Sequence, residues 1–165
     1  MIVYLVGMPG SGKSTVGAEL AGRYGVPFID LDAEVERAEG RTVAAIFADD
    51  GEAAFRAREA RALLDASTQD PSVVACGGGV VLEPANRIVL RNTGIAVFLD
   101  VGIDRIRERV TPGADRPLIR EAGDLERLLA EREPLYREFA GHVVAAEGPP
   151  GEVADAIVEE LRWSA

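Results

Sequence analysis

Lysine occurs once in this 165-residue chain, at Lys13, although 18 residues are basic; every other cation is an arginine. Cysteine, histidine and tryptophan also occur once each, as Cys76, His142 and Trp163. A single cysteine excludes an intrachain disulfide framework and fits a reducing cytoplasm. Metal clusters of Cys/His spacing are absent for the same reason. His142 and Trp163 read as structural, the first opening a strand and the second packing an edge. A basic surface is missing too: the net charge of −10 argues against a general nucleic-acid binder, which needs a positive stripe. The first apolar run, residues 2–6, is far too short for a signal or membrane segment and has no basic stretch before it. Repeats, low-complexity tracts and linkers are lacking. What remains is the expectation of one soluble, cytoplasmic domain over residues 1–165, long enough for a proper core.

The one lysine falls in Gly7-Met8-Pro9-Gly10-Ser11-Gly12-Lys13-Ser14. This fits G-x-x-x-x-G-K-[ST] at every specified position. Ahead of it, Ile2-Val3-Tyr4-Leu5-Val6 reads as a buried strand. Behind it, Val16, Leu20 and Tyr24 recur at helical spacing. A strand, a glycine turn and a helix N-terminus make an anion cradle, in which backbone N–H groups curl around a phosphate. Lys13 then reaches the β- and γ-phosphates, and the Ser14 hydroxyl can ligate Mg²⁺. A compact point charge suits that place better than a planar guanidinium fork.

Strand and helix patterns alternate along the rest. Strands are expected at 26–29, 72–76, 95–99 and 142–145, and helices at about 42–49, 52–64, 84–91, 103–110, 124–139 and 152–161. Another helix begins near Asp30-Leu31-Asp32. Residues 111–117, bearing Gly and Pro, read as a mobile loop. Strands separated by helices imply parallel pairing with right-handed crossovers, and apolar strands imply a sheet covered on both faces. The expected fold is α/β: a three-layer P-loop NTPase fold with a central five-stranded parallel sheet flanked by helices.

Ligands of such sheets sit at the carboxyl ends of the strands. Asp30 and Asp32 follow strand two, and Gly77-Gly78-Gly79 follow strand three. Paired carboxylates there can serve metal and proton chemistry, although Asp32 can also be read as a helix N-cap. Three glycines closing a core strand imply that something approaches the backbone closely. Arg56, Arg116 and Arg132 are suited to a carboxylate or phosphate, but from periodicity alone each reads as a solvated charge.

Taken together, residues 7–15, Phe28-Ile29-Asp30-Leu31-Asp32, Ile46-Phe47, Asp50-Gly51-Glu52, Phe55-Arg56, Gly77-Gly78-Gly79, Arg116-Pro117-Leu118 and Arg132-Glu133-Pro134-Leu135-Tyr136 resemble the shikimate kinase family. The resemblance runs over nearly the whole chain in the same order. It implies a nucleoside-monophosphate-kinase type of fold, with a lid at about 109–120 and substrate-binding helices at about 32–61. The implied activity is transfer of the ATP γ-phosphate to the 3-hydroxyl of shikimate, in chorismate biosynthesis. It assigns Gly10, Ser11, Gly12, Lys13, Ser14 and Thr15 to the ATP phosphates. Ser14 would hold Mg²⁺, and Asp30 would stand near it through water. Asp32 would bind shikimate hydroxyls and act as base; Arg56 and Arg132 would grip the carboxylate, with Glu59 orienting Arg56. Gly78 and Gly79 would meet substrate through their N–H groups. Lys13 and the lid residue Arg116 would complete the catalytic set.

Two departures are expected to weaken the adenine contacts and base selectivity. Val110, with Arg109 beside it, matches the position where the family often has an adenine-stacking arginine. Glu147-Gly148-Pro149 replaces a loop that often carries Arg or Asn. The implied partners are ATP and shikimate, with no nucleic acid, no membrane and a monomeric chain. Two rivals stay open: another small P-loop kinase, acting on gluconate or a nucleoside monophosphate, and a non-catalytic nucleotide-binding protein of this fold.

Overall fold

A computed structural model describes residues 1–113 and 116–162; Asp115 and Trp163 lie outside the described residues. Five strands form one parallel sheet: β1 (Ile2–Val6), β2 (Phe28–Asp30), β3 (Ser72–Ala75), β4 (Gly94–Asp100) and β5 (His142–Ala145). The spatial order is β2-β3-β1-β4-β5. Register is set by Ile2 opposite both Ser72 and Gly94, Phe28 opposite Val73, and Val97 opposite His142. All of β1 and β3 is buried, as the unbroken apolar runs require of a sheet covered on both faces.

The helices are α1 (Lys13–Tyr24), α2 (Leu31–Glu39), α3 (Val43–Asp50), α4 (Glu52–Ala66), α5 (Pro84–Thr93), α6 (Ile103–Arg109), α7 (Asp124–Phe139) and α8 (Pro150–Leu161). The chain leaves β1 for β2 in one direction and then crosses back through β3, β4 and β5. Right-handed crossovers therefore put α1 on one face and α4, α5 and α7 on the other. The packing agrees: α1 lies on α8, and α4 on α5. The strand order reverses beside β1, so the turn after β1 opens into the crevice where such sheets bind ligands.

The expected boundaries shift for local reasons. Val26 and Pro27 precede β2 rather than opening it. Pro27 has no N–H to give and joins the ladder only through its carbonyl, which accepts from Val73 N at 2.9 Å. α8 starts at Pro150 instead of residue 152, because proline at the first helical position gives up no bond. A 3-10 turn, Val80–Leu82, follows the triple glycine and carries no sequence signal of its own.

Among the described residues there are two cores. The larger fills both faces of the sheet. A small separate one, Val35, Ile46 and Phe55, joins α2, α3 and α4, and Phe47 lies 4.8 Å from Phe55 between ring centres.

Candidate active site

The turn after β1 ends with Gly12 at φ 90°, a left-handed conformation that L side chains resist, and Gly12 is the N-cap of α1. No side chain caps this helix. The amides of Lys13, Ser14 and Thr15 have no backbone partner among the described residues, since the first helical bond is Val16 N to Gly12 O. Three N–H groups and a helix end are thus left for an anion. Lys13 is 9 % exposed. Its Nζ donates to Gly7 O at 2.9 Å and Met8 O at 2.8 Å, with Ser11 Oγ at 3.4 Å. Burial lowers its pKa to about 8, against the pull of Asp32 and Asp30.

Asp30 and Asp32 divide their work differently from the sequence expectation. Asp30, not Asp32, is the N-cap of α2: one oxygen accepts from Asp32 N at 3.1 Å and Ala33 N at 3.2 Å. Its other oxygen accepts from the Ser14 hydroxyl. β2 ends one residue later than expected, which puts Asp30 at the junction and Asp32 in the first turn of the helix. Asp32 is therefore free to face the cleft. Loss of water at the cleft floor raises its pKa, Asp30 adds to the rise, and Lys13 and Arg56 oppose it.

A cavity of about 320 Å³ lies beside the cradle, with Asp32, Arg56, Gly79, Arg116 and Arg132 in its wall. Its floor is the triple glycine, and each glycine makes room for a different side chain. A Cβ on Gly77 would strike the Glu59 carboxylate and stand 3.0 Å from Asp32 Oδ1. On Gly78 it would lie 3.1 Å from Arg132, and on Gly79 it would run into the Arg56 guanidinium. The close approach read from the three glycines is made by side chains of the cavity wall itself.

The arginines are not alike. Arg56 donates to Glu59 Oε1 at 2.8 Å and reaches Glu52 at 3.3 Å, and it lies over the Phe55 ring. Glu59 is fully buried, and burial raises its pKa against the opposing pull of Arg56. Arg132 is 2 % exposed and has no carboxylate within ion-pair distance among the described residues. Arg56 Nε, Glu59 Oε2 and Arg132 Nε are all buried without a partner. A buried cation with unmet donors beside a cavity is costly unless an anion pairs with it.

On the far side of the cradle, Val110 points inward. It is 4 % exposed, and its methyl packs against Gly10. Arg109 points the other way, and its guanidinium donates to Gly10 O at 3.2 Å. Arg109 lines a hollow of about 270 Å³ with Thr15, Gly148 and Pro150. The last turn of α6 rotates Val110 inward and Arg109 outward, a one-residue distinction that the sequence left ambiguous. Arg109 and Arg116 also share a hollow of about 360 Å³. Glu147 caps the start of α6, accepting from Gly102 N at 2.6 Å.

The described part of the loop after α6 is partly docked. Ile119 is buried in the main core, while Arg116 stays exposed beside the cavity. Tyr136 was not singled out for function from sequence. It is fully buried, and its hydroxyl donates to Gly78 O.

A parallel sheet of this order, a phosphate cradle with a buried lysine and a cavity beside it define a P-loop phosphotransferase. Solved structures narrow the class. Shikimate kinase from Acinetobacter baumannii, in complex with shikimate, superposes with a TM-score of 0.94 at 36 % identity, covering 98 % of this chain and 92 % of that one. Shikimate kinase from Aquifex aeolicus gives a TM-score of 0.89 at 36 % identity, covering 98 % and 96 %. Shikimate kinase of Aromatoleum aromaticum is 46 % identical, over 98 % of this chain and 95 % of its own length. The shikimate kinase family model matches residues 9–162. The chain belongs to the shikimate kinase family. A gluconokinase from Sinorhizobium meliloti, at 22 % identity and a TM-score of 0.60, shares the fold alone.

Proposed function

We propose that the protein transfers the γ-phosphate of ATP to the 3-hydroxyl of shikimate, giving shikimate 3-phosphate and ADP. The observation that carries this reading is Arg132: a buried cation with no carboxylate partner among the described residues, facing a cavity that also holds Arg56 and Asp32. A small polyhydroxy carboxylate supplies the missing anion to the arginines and its hydroxyls to Asp32.

In this reading Asp32 accepts the hydroxyl proton as the substrate oxygen attacks the γ-phosphorus, and the bond from phosphorus to the ADP oxygen breaks. The amides of residues 10–15 hold the phosphates, and Lys13 leaves the Gly7 and Met8 carbonyls for the phosphoryl oxygens. Arg116 comes in from the lid, and Arg109 lies where the adenine enters. Gly78 and Gly79 offer N–H groups to the substrate. Such transfers need little covalent help, so positioning and charge carry the rate.

The residues suit Mg²⁺. The Ser14 hydroxyl and an Asp30 carboxylate oxygen lie together at the cradle, both hard oxygen ligands. No group of three or more His, Cys, Asp or Glu side chains among the described residues could hold a metal without help, which fits an ion brought by the nucleotide. When bound, Mg²⁺ neutralises the charge of the phosphate oxygens. We take the chain to work as a monomer in the cytoplasm; no helix among the described residues is long and apolar enough to cross a membrane.

A coupled assay for ADP release tests the substrate. Shikimate is expected to drive ATP turnover, and gluconate and nucleoside monophosphates are not. Turnover with gluconate and none with shikimate overturns the reading.

A further inference from the structure

Tyr136 sits one helical turn beyond Arg132 on α7, on the same face. It is fully buried, and its ring stacks on Phe98 of β4 at 5.1 Å between centres. The phenol oxygen has two neighbours. It donates to the carbonyl of Gly78, and the Arg132 guanidinium is its hydrogen-bonding neighbour. Hence one oxygen touches both a glycine of the cavity floor and the cation of the cavity wall.

The carbonyl it holds belongs to the Gly78–Gly79 peptide. In a trans peptide the C=O and N–H point in opposite directions, so fixing Gly78 O also aims the Gly79 N–H. That N–H has no backbone partner among the described residues. The segment needs an external hold, because three glycines in a row have more freedom than any other tripeptide. Its downstream end is already secured: Asn86 Nδ2 donates to Val80 O at 3.1 Å, and Arg87 donates to Val81 O. Tyr136 is the side chain that secures the glycines themselves.

We infer that Tyr136 is a positioning residue for the carboxylate-bearing substrate: its hydroxyl locks the Gly78–Gly79 peptide and the Arg132 guanidinium into one arrangement, so that both meet the ligand already set. It acts through these groups and not by touching the substrate. Its hydroxyl bonds to no residue of the nucleotide cradle among the described residues. The inference rests on the shikimate kinase reading.

Tyr136→Phe removes one oxygen and keeps the stacked ring. The shikimate dissociation constant is expected to rise about 5- to 20-fold, the loss of a hydrogen bond shared with a charged group, while ATP affinity changes less than about twofold. Replacing Tyr136 by 4-aminophenylalanine, which keeps a donor, should restore most of the shikimate affinity. Tyr4→Phe is the control. It deletes a hydroxyl bonded at 2.7 Å to Thr93 at the opposite end of the sheet, and should leave shikimate affinity unchanged. Unchanged shikimate affinity in Tyr136→Phe, or equal losses for shikimate and ATP, overturns the inference. If Tyr136→Phe does not fold, 3,5-difluorotyrosine at position 136 serves instead: its stronger donor must change shikimate affinity and leave ATP affinity alone, and no change overturns the inference. A wild-type protein inert towards shikimate fells the underlying reading. A wild-type enzyme whose Tyr136→Phe variant behaves identically fells only the inference.

Discussion

Lys13 is the residue whose chemistry and placement are most tightly bound together. Its ammonium is nearly sealed from water and folded back on two backbone carbonyls, and burial brings its pKa down to about 8. Incoming phosphates favour the charged form, so nucleotide binding above pH 8 must take up a proton. The pH profile of kcat/KM reports groups of the free enzyme, and that of kcat reports the complex. Hence kcat/KM for ATP should be level around neutrality and fall above about pH 8, by up to tenfold per pH unit, while kcat at saturating ATP stays level. A kcat/KM that remains flat to pH 10 would sink this assignment. The same burial is a cost to the fold. The folded pKa lies below the unfolded value of 10.5, so the penalty is complete below pH 8 and is relieved as pH rises towards 10.5. Composition pointed to this residue, because one lysine among 18 basic residues fell in the glycine turn. The resting position of its side chain could not be read that way, since it depends on carbonyl directions fixed only by the folded turn. The two aspartates teach the same limit. Sequence placed both at the end of β2, but which one caps α2 and which faces the cleft is decided by a one-residue shift of the strand end.

At the level of elements, α7 brings function at the expense of stability. It carries Arg132 and Tyr136 on its inner face, and Pro134 between them lacks the N–H of a regular helical bond. A buried cation without a paired anion costs more than an apolar side chain of similar size. Arg132→Met should therefore abolish shikimate binding and yet stabilise the unliganded protein, by about 1–2 kcal/mol. Thermal unfolding checks both halves: the melting temperature without ligand rises, and the increment given by shikimate to the wild type disappears. A drop in the unliganded melting temperature would mean that Arg132 is a structural cation. Arg137, one turn further, is the contrast. It pairs with Asp100 at 2.6 Å and Glu133 at 2.8 Å and lies over Phe98, so Arg137→Ala should bind shikimate normally. Periodicity alone reads Arg132 as a solvated surface charge, which is what Arg137 proves to be. Burial separates them, and burial depends on how α7 meets β4 and the glycine floor. The sheet was legible in advance because apolar strands between amphipathic helices leave few arrangements. The 3-10 turn after the glycines was not, being held from outside by Asn86 and Arg87.

In the whole molecule, the sheet and its cradle form the fixed part, and two smaller parts border the cavity. One is the α2–α4 unit, with its own small core and an ion network in which Arg41 and Arg58 both meet Glu39 and Asp50. The other is the described part of the loop after α6, the lid of the proposed reaction, where Ile119 is buried while Arg116 remains exposed. An exposed arginine over a phosphate site does its work only when the loop carrying it closes, and closure also keeps water from the γ-phosphate. In the proposed reaction both ligands would contribute: phosphates would attract Arg116, and shikimate would pack against Pro117 and Leu118 in the cavity wall. The lid should therefore respond to the pair more than to either alone. Trypsin provides the readout, because Arg120 is exposed in the lid, whereas Arg116 precedes a proline and resists cleavage. Cleavage after Arg120 should be fast in the free protein, slightly slower with an ATP analogue or shikimate singly, and at least about fivefold slower with both, since proteolysis follows the population of the open form. Arg116→Ala should remove most of that joint protection. It should also lower kcat by about 10²-fold, the order lost when one preorganised donor to a developing charge is deleted. Its KM for shikimate should change little. Equal protection by either ligand alone, or a near-normal kcat in Arg116→Ala, would show that the lid closes without that arginine and that the phosphoryl group is stabilised from the cradle by itself.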